Sequence, residues 1–142
     1  MMTSDVLRIF VAGLLGLVMG RLSSRGQVSR TFAIVALGSA LVAIISTELF
    51  RSLDYPWSSD PGRLSAQVVA AMGFIGTGLI WTSEGGQVRG LSVSASLWLT
   101  AIMGLLIGSG LKHISTVAAF AVLMIYWLIG LIFRKRGSAE DD

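Results

Sequence analysis

Apolar residues fill five runs, at 6–22, 31–50, 64–81, 91–111 and 114–133, and the polar residues gather between them. Each run is close to the roughly 20 residues an α-helix needs to cross about 30 Å of hydrocarbon, with the first and third at the short end. The runs are apolar on every side rather than at alternate positions, which is not the pattern of membrane barrel strands. Lipid offers no hydrogen-bond partner to a bare backbone, so helices are the expected form. The pattern therefore predicts an all-α integral membrane protein, a bundle of five transmembrane helices joined by short loops. Residues 1–136 are expected to form this membrane domain and 137–142 a disordered cytoplasmic tail. The first run has no basic stretch before it and no small-residue cleavage site after it, so it is read as an uncleaved span.

Small side chains interrupt these runs at helical spacing. Ser92, Ser96 and Thr100 recur at every fourth position with Ala95 beside them, and glycines stand at Gly16 and Gly20, at Gly73, Gly76 and Gly78, and at Gly104 and Gly108. Between helices in lipid there is little hydrophobic drive to associate, so close approach through small residues and interhelical hydrogen bonds must supply more of it. Gly73, Gly76, Gly78, Ser96, Gly104 and Gly108 are accordingly expected to face neighbouring helices. A polar path lined by the hydroxyls is the alternative. Packing is favoured because each hydroxyl can bond back onto its own helix.

The polar punctuation suggests further elements. Asp60-Pro61 reads as the N-cap and first residue of the third helix. Arg63 and Gln67 follow on one side of that helix, and Gln67 lies a turn inside the apolar run. An amide at that depth calls for a hydrogen-bond partner. A neighbouring helix, with Glu48 a candidate, is the expected source, and a binding site built on Asp60, Arg63 and Gln67 is the alternative. Tyr55 and Trp57 suit the headgroup level. The glycine turn at 84–90 lacks the lysine and the spacing of a phosphate-binding loop and is expected to be a flexible connection.

Charge adds an orientation. Only 13% of the residues are charged and the net charge is +3, with the basic residues in short clusters between apolar runs, which fits membrane anchoring rather than nucleic-acid binding. An outside N-terminus puts Arg21, Arg25, Arg30, Arg89, Arg134, Lys135 and Arg136 on the cytoplasmic side and leaves Arg8, Arg51, Arg63 and Lys112 outside. The second and fourth helices then both start at the cytoplasmic surface, where unpaired N–H groups favour anions. Arg30, Thr31, Arg89 and Ser92 stand there as a candidate site for a lipid headgroup or an acidic partner group. Simple interfacial anchoring, with Arg89 paired to Glu84, is the competing account. No enzyme, metal site or cofactor is expected: the chain has one histidine, His113, and no cysteine, and it carries no zinc-protease or Ser-His-acid pattern.

The segment 60–110 resembles the MgtC/SapB membrane protein family. The resemblance rests on Asp60, Arg63, Gln67, Val68, Gly73, Phe74, Gly76 and Gly78, then on Val88, Arg89, Gly90, Leu91, Ala95, Leu97 and Trp98, and on Gly104, Gly108 and Gly110. The first half agrees less well: Gly20 stands where the family usually has a glutamate, and Val28-Ser29 replace Gly-Leu. Ala71 stands for a glycine, and Ser92-Val93 for a threonine pair.

The resemblance implies a non-enzymatic protein of the bacterial inner membrane, in some relatives linked to growth at low magnesium and to virulence. It implies regulation of another membrane protein, the F-type ATP synthase being the partner in the best-known relative, and it reads the chain as a short form holding the membrane domain alone. A homodimer is compatible with the small-residue faces. A small ion transporter or channel is the competing class, disfavoured by the lack of any mid-span carboxylate.

Overall fold

The computed structural model describes residues 2–24, 28–52, 60, 62–110 and 112–137. Within them run five helices, α1 (Met2–Ser24), α2 (Ser29–Ser52), α3 (Arg63–Gly78), α4 (Leu91–Gly108) and α5 (Lys112–Gly137), with a short hairpin of β1 (Trp81–Thr82) and β2 (Val88–Arg89) between α3 and α4. Four of the helices, all but α3, are long and apolar enough to cross a membrane. The expectations for Tyr55, Trp57, Pro61 and residues 138–142 fall outside the described residues.

Glycine decides how the first, second and fourth helices meet. A methyl built on Gly16 would lie 2.6 Å from the Phe32 carbonyl oxygen and 2.7 Å from Ala33 Cα, and one on Gly20 would collide with Ser29 Cα. Gly13 in turn faces Leu37, so α1 and α2 run antiparallel. Gly104 sits against Ala36 and Ser39, and Gly108 against Ala40 and Ala43, so α4 runs parallel to α2 with their backbones nearly touching. Ala12 and Met19 of α1, Phe32 and Ala40 of α2, and Leu97, Ala101, Met103 and Ile107 of α4 form the buried core, to which α3 adds Met72. With no Cβ to hold the helices apart, dispersion contacts between backbones replace the hydrophobic drive that lipid removes.

The third helix differs from the expected span. It ends at Gly78 rather than running to residue 81, and its 16 residues cover about 24 Å. Leu79 and Ile80 donate their N–H groups back to Gly76 and Thr77, and the chain then leaves as the hairpin. Trp81 pairs with Arg89 and Thr82 with Val88. At the turn Ser83 bonds Gln87 and Gly86 bonds Ser83, Gly86 taking a left-handed φ of 75°. The 84–90 segment is thus a hydrogen-bonded β-turn hairpin. The start of α3 also shifts. Its N-cap is Gly62. Asp60 acts just upstream, its carboxylate accepting the Gly62 N–H at 2.8 Å and its carbonyl the Arg63 N–H at 3.2 Å.

At the opposite end of the bundle from the hairpin, Arg8 forms a half-buried pair with Asp5 at 3.0 Å. A methyl on Gly110, φ 77°, would lie 2.6 Å from its guanidinium. The cation thus covers the carbonyl end of α4, where the helix dipole is negative.

Candidate functional site

An open groove of about 400 Å³ runs between α3 and α4. Met72, Gly73, Gly76, Thr77 and Ile80 line one wall, and Leu91, Ser94, Ala95 and Trp98 the other. Two fixed points hold the walls. Ser94 Oγ donates 3.0 Å to the Gly76 carbonyl, a buried bond between helices, and Gly76 leaves room for it, since a methyl there would lie 2.6 Å from that Oγ. Gly90 sets the entry of α4 with a φ of 82° that side chains avoid. A methyl on Gly90 would also collide with the Leu79 carbonyl and stand 2.9 Å from the Trp81 ring. Among the described residues, none that lines the groove is charged. Its chemistry is apolar contact with a floor of small residues, which suits a helix or a hydrocarbon chain.

A second polar joint fastens α5. Ser96 Oγ donates 2.6 Å to the Ser92 carbonyl and shares a 2.6 Å hydrogen bond with the Tyr126 hydroxyl, while Thr100 bonds the Ser96 carbonyl at 2.8 Å. Ser115 reaches the Leu106 carbonyl at 2.8 Å from the other end of α5. These are satisfied bonds inside the packing.

The sequence-selected residues divide. Gly76, Ser96, Gly104 and Gly108 are buried against neighbouring helices, whereas Gly73 and Gly78 are exposed, and a methyl on either would meet no described atom within 4 Å. Gln67 is exposed, with no hydrogen bond to any described residue, so the partner expected on another helix is not found among them. Glu48 instead pairs with Arg51 at 2.9 Å. Asp60 and Arg63 are exposed as well, and neither enters an ion pair among the described residues. Arg30, Thr31, Arg89 and Ser92 are all exposed; the parallel course of α2 and α4 brings the two arginines to the same end of the bundle, and Arg89 makes no ion pair with Glu84.

Sequence reasoning passed over Ser94 and Tyr126. Ser94 lies off the Ser92, Ser96, Thr100 stripe, and Tyr126 sits in an apolar run with no motif around it. The available signal was chemical: a lone hydroxyl or phenol in lipid needs a partner.

Comparison with known proteins bears on the whole chain. The MgtC family model matches residues 7–135. YhiD of Escherichia coli strain K12 is 35% identical over 108 residues, which cover 74% of this chain and 49% of that protein. MgtC of Brucella abortus strain 2308 is 36% identical over 100 residues, 70% of this chain and 39% of the relative, and SapB of Bacillus subtilis strain 168 is 28% identical over 137 residues, 93% and 59% respectively. The chain thus matches about half or less of the first two relatives' length. No solved structure matches it. The groove is built from the segment that carries the resemblance, and the match extends to both flanks of it: the chain belongs to the MgtC family.

Proposed function

We propose that the protein is a non-enzymatic regulator in the bacterial inner membrane that receives a transmembrane helix of another integral membrane protein in the groove between α3 and α4, as part of a response to low magnesium. One observation carries the reading. The groove is apolar, open and floored by small residues, and its walls fall within residues 60–110, the segment whose motifs carry the family resemblance. Gly73 lets a partner backbone approach as Gly104 and Gly108 let α2 approach α4. The N-terminus lies outside and the C-terminus in the cytoplasm. That orientation puts Arg21, Arg30 and Arg89, which share one end of the bundle, against anionic headgroups of the cytoplasmic leaflet.

Capture of the protein from native membranes in mild detergent tests the reading. One stoichiometric integral membrane partner is expected, the F-type ATP synthase being the first to look for. Gly73→Leu should abolish the capture by filling the groove, because a side chain there meets nothing within the chain itself. Transport is the opposing outcome. YhiD has a name that refers to magnesium transport, and magnesium flux into liposomes holding the purified protein, above that of empty vesicles, would overturn the proposal.

A further inference from the structure

The outward face of α3 is unlike the other exposed faces of the bundle. α1 turns Leu7, Phe10, Leu14 and Val18 outward, and α5 turns Ile114, Val117, Phe120 and Trp127 outward, all large apolar groups suited to lipid chains. On α3 the line pointing away from the bundle is Arg63, Gln67, Ala70, Phe74 and Gly78, spaced by fours and threes. It holds an amide, a small residue, a glycine in open space, and Phe74, which at 82% exposure stands almost wholly clear of the chain.

Two polar features of this face call for a partner. Gln67 lies one helical turn, about 6 Å, inside Arg63, and its amide has no hydrogen bond to a described residue. At the end of the same helix stand an anion, Asp60, and a cation, Arg63, three residues apart and neither in an ion pair with a described residue. Leaving an amide in hydrocarbon costs on the order of 2 kcal/mol or more. Large aliphatic side chains would have cost nothing, and the chain uses them on α1 and α5.

We infer that this face is the interface of a parallel homodimer, and that its occupant is α3 of a second copy. Copies in one membrane share one orientation, so their two-fold axis lies along the membrane normal and sets each residue opposite its own equivalent at equal depth. The residues here are self-complementary under that operation. A carboxamide both donates and accepts, so Gln67 can pair with Gln67 of its copy through two hydrogen bonds. Asp60 of each copy then stands about one helical turn from Arg63 of the other, a span the long arginine side chain can bridge, supplying two ion pairs. Ala70 and Gly78 let the helices approach on either side of Phe74. The groove toward α4 lies on an adjacent face of α3, so this dimer leaves it accessible and does not depend on the function proposed above.

The absence of cysteine from the chain makes the test direct. Ala70→Cys and, separately, Gly78→Cys are introduced on the proposed interface, with Val117→Cys on the outward face of α5 as the control, and each is oxidised in native membranes. Both α3 positions are open, so neither change disturbs the monomer. A disulfide requires Cα atoms within about 7 Å. Cross-linked dimer is expected from the α3 variants and not from Val117→Cys, and adding Gln67→Leu should lower the cross-linked fraction about threefold to tenfold. Three results would each overturn the inference: both α3 variants remaining monomeric, Val117→Cys cross-linking as readily as they do, or Gln67→Leu leaving their cross-linking unchanged.

Discussion

The two seams of α4 are built on opposite principles. Toward α2, α4 meets its neighbour backbone to backbone at Gly104 and Gly108, as α1 meets α2 at Gly16 and Gly20, each a place where a methyl would strike the neighbour. Toward α3 and α5 it meets its neighbours through a few hydrogen bonds, Ser94 to Gly76 on one side and Ser96 to Tyr126 and Ser115 to Leu106 on the other, among apolar side chains that are mostly only partly buried, such as Val68, Val122 and Leu123. α5 has only 6% of its membrane-crossing window buried, against 50% for α4. The difference separates a rigid three-helix core from two attached helices whose outer faces meet lipid or other proteins. In lipid, shape complementarity at zero side-chain distance holds a helix more firmly than one hydroxyl does.

Substitutions can break or sharpen this contrast. The largest effect is expected from Gly108→Leu, which drives a side chain into the Ala40 backbone and should cost about 3 kcal/mol or more, leaving little monodisperse protein in detergent. Leu106→Ala, two residues away at a half-buried position, should leave the protein extractable. Ser94→Ala removes the bond that closes the α3 seam and should cost about 1 kcal/mol, read as a shift in the midpoint of unfolding by SDS. Tyr126→Phe should cost about 0.6 kcal/mol by the same assay and raise hydrogen exchange in α5 while leaving α1, α2 and α4 protected. Gly73→Leu, chemically the same change as Gly108→Leu but on an open face, should stay within about 0.5 kcal/mol of the parent. A large loss at Gly73 would mean that α3 belongs to the rigid core after all.

The five helices were legible because a membrane span is written in composition, and composition survives ignorance of tertiary structure. The end of α3 was not legible in this way. Leu79, Ile80 and Trp81 are as apolar as the helix before them, and it is the left-handed geometry of Gly86 and Gly90 that turns the chain into a hairpin. Small-residue spacing marked contact faces without revealing which were satisfied within the chain: Gly104 and Gly108 are packed, Gly73 and Gly78 are open, and nothing local distinguishes the pairs. The stripe of hydroxyls found Ser96 and Thr100 and missed Ser94, whose acceptor lies 18 residues away on another helix. The groove itself was not legible, because its two walls come together only through the hairpin.

The parallel course of α2 and α4 has a consequence for biosynthesis. Neighbouring helices of a membrane chain can zip together as hairpins while the ribosome is still working, and α1 with α2 is such a pair. Parallel helices cannot, because an intervening segment must first cross back. The tight seam made by Gly104 and Gly108 therefore closes only after α3 has been laid down and the hairpin has returned the chain. Until then the small-residue surface of α2 stands open in the bilayer, a transient docking face for any similar helix nearby. A nascent chain stalled before α4 would be the species most exposed to mispairing and to membrane proteases.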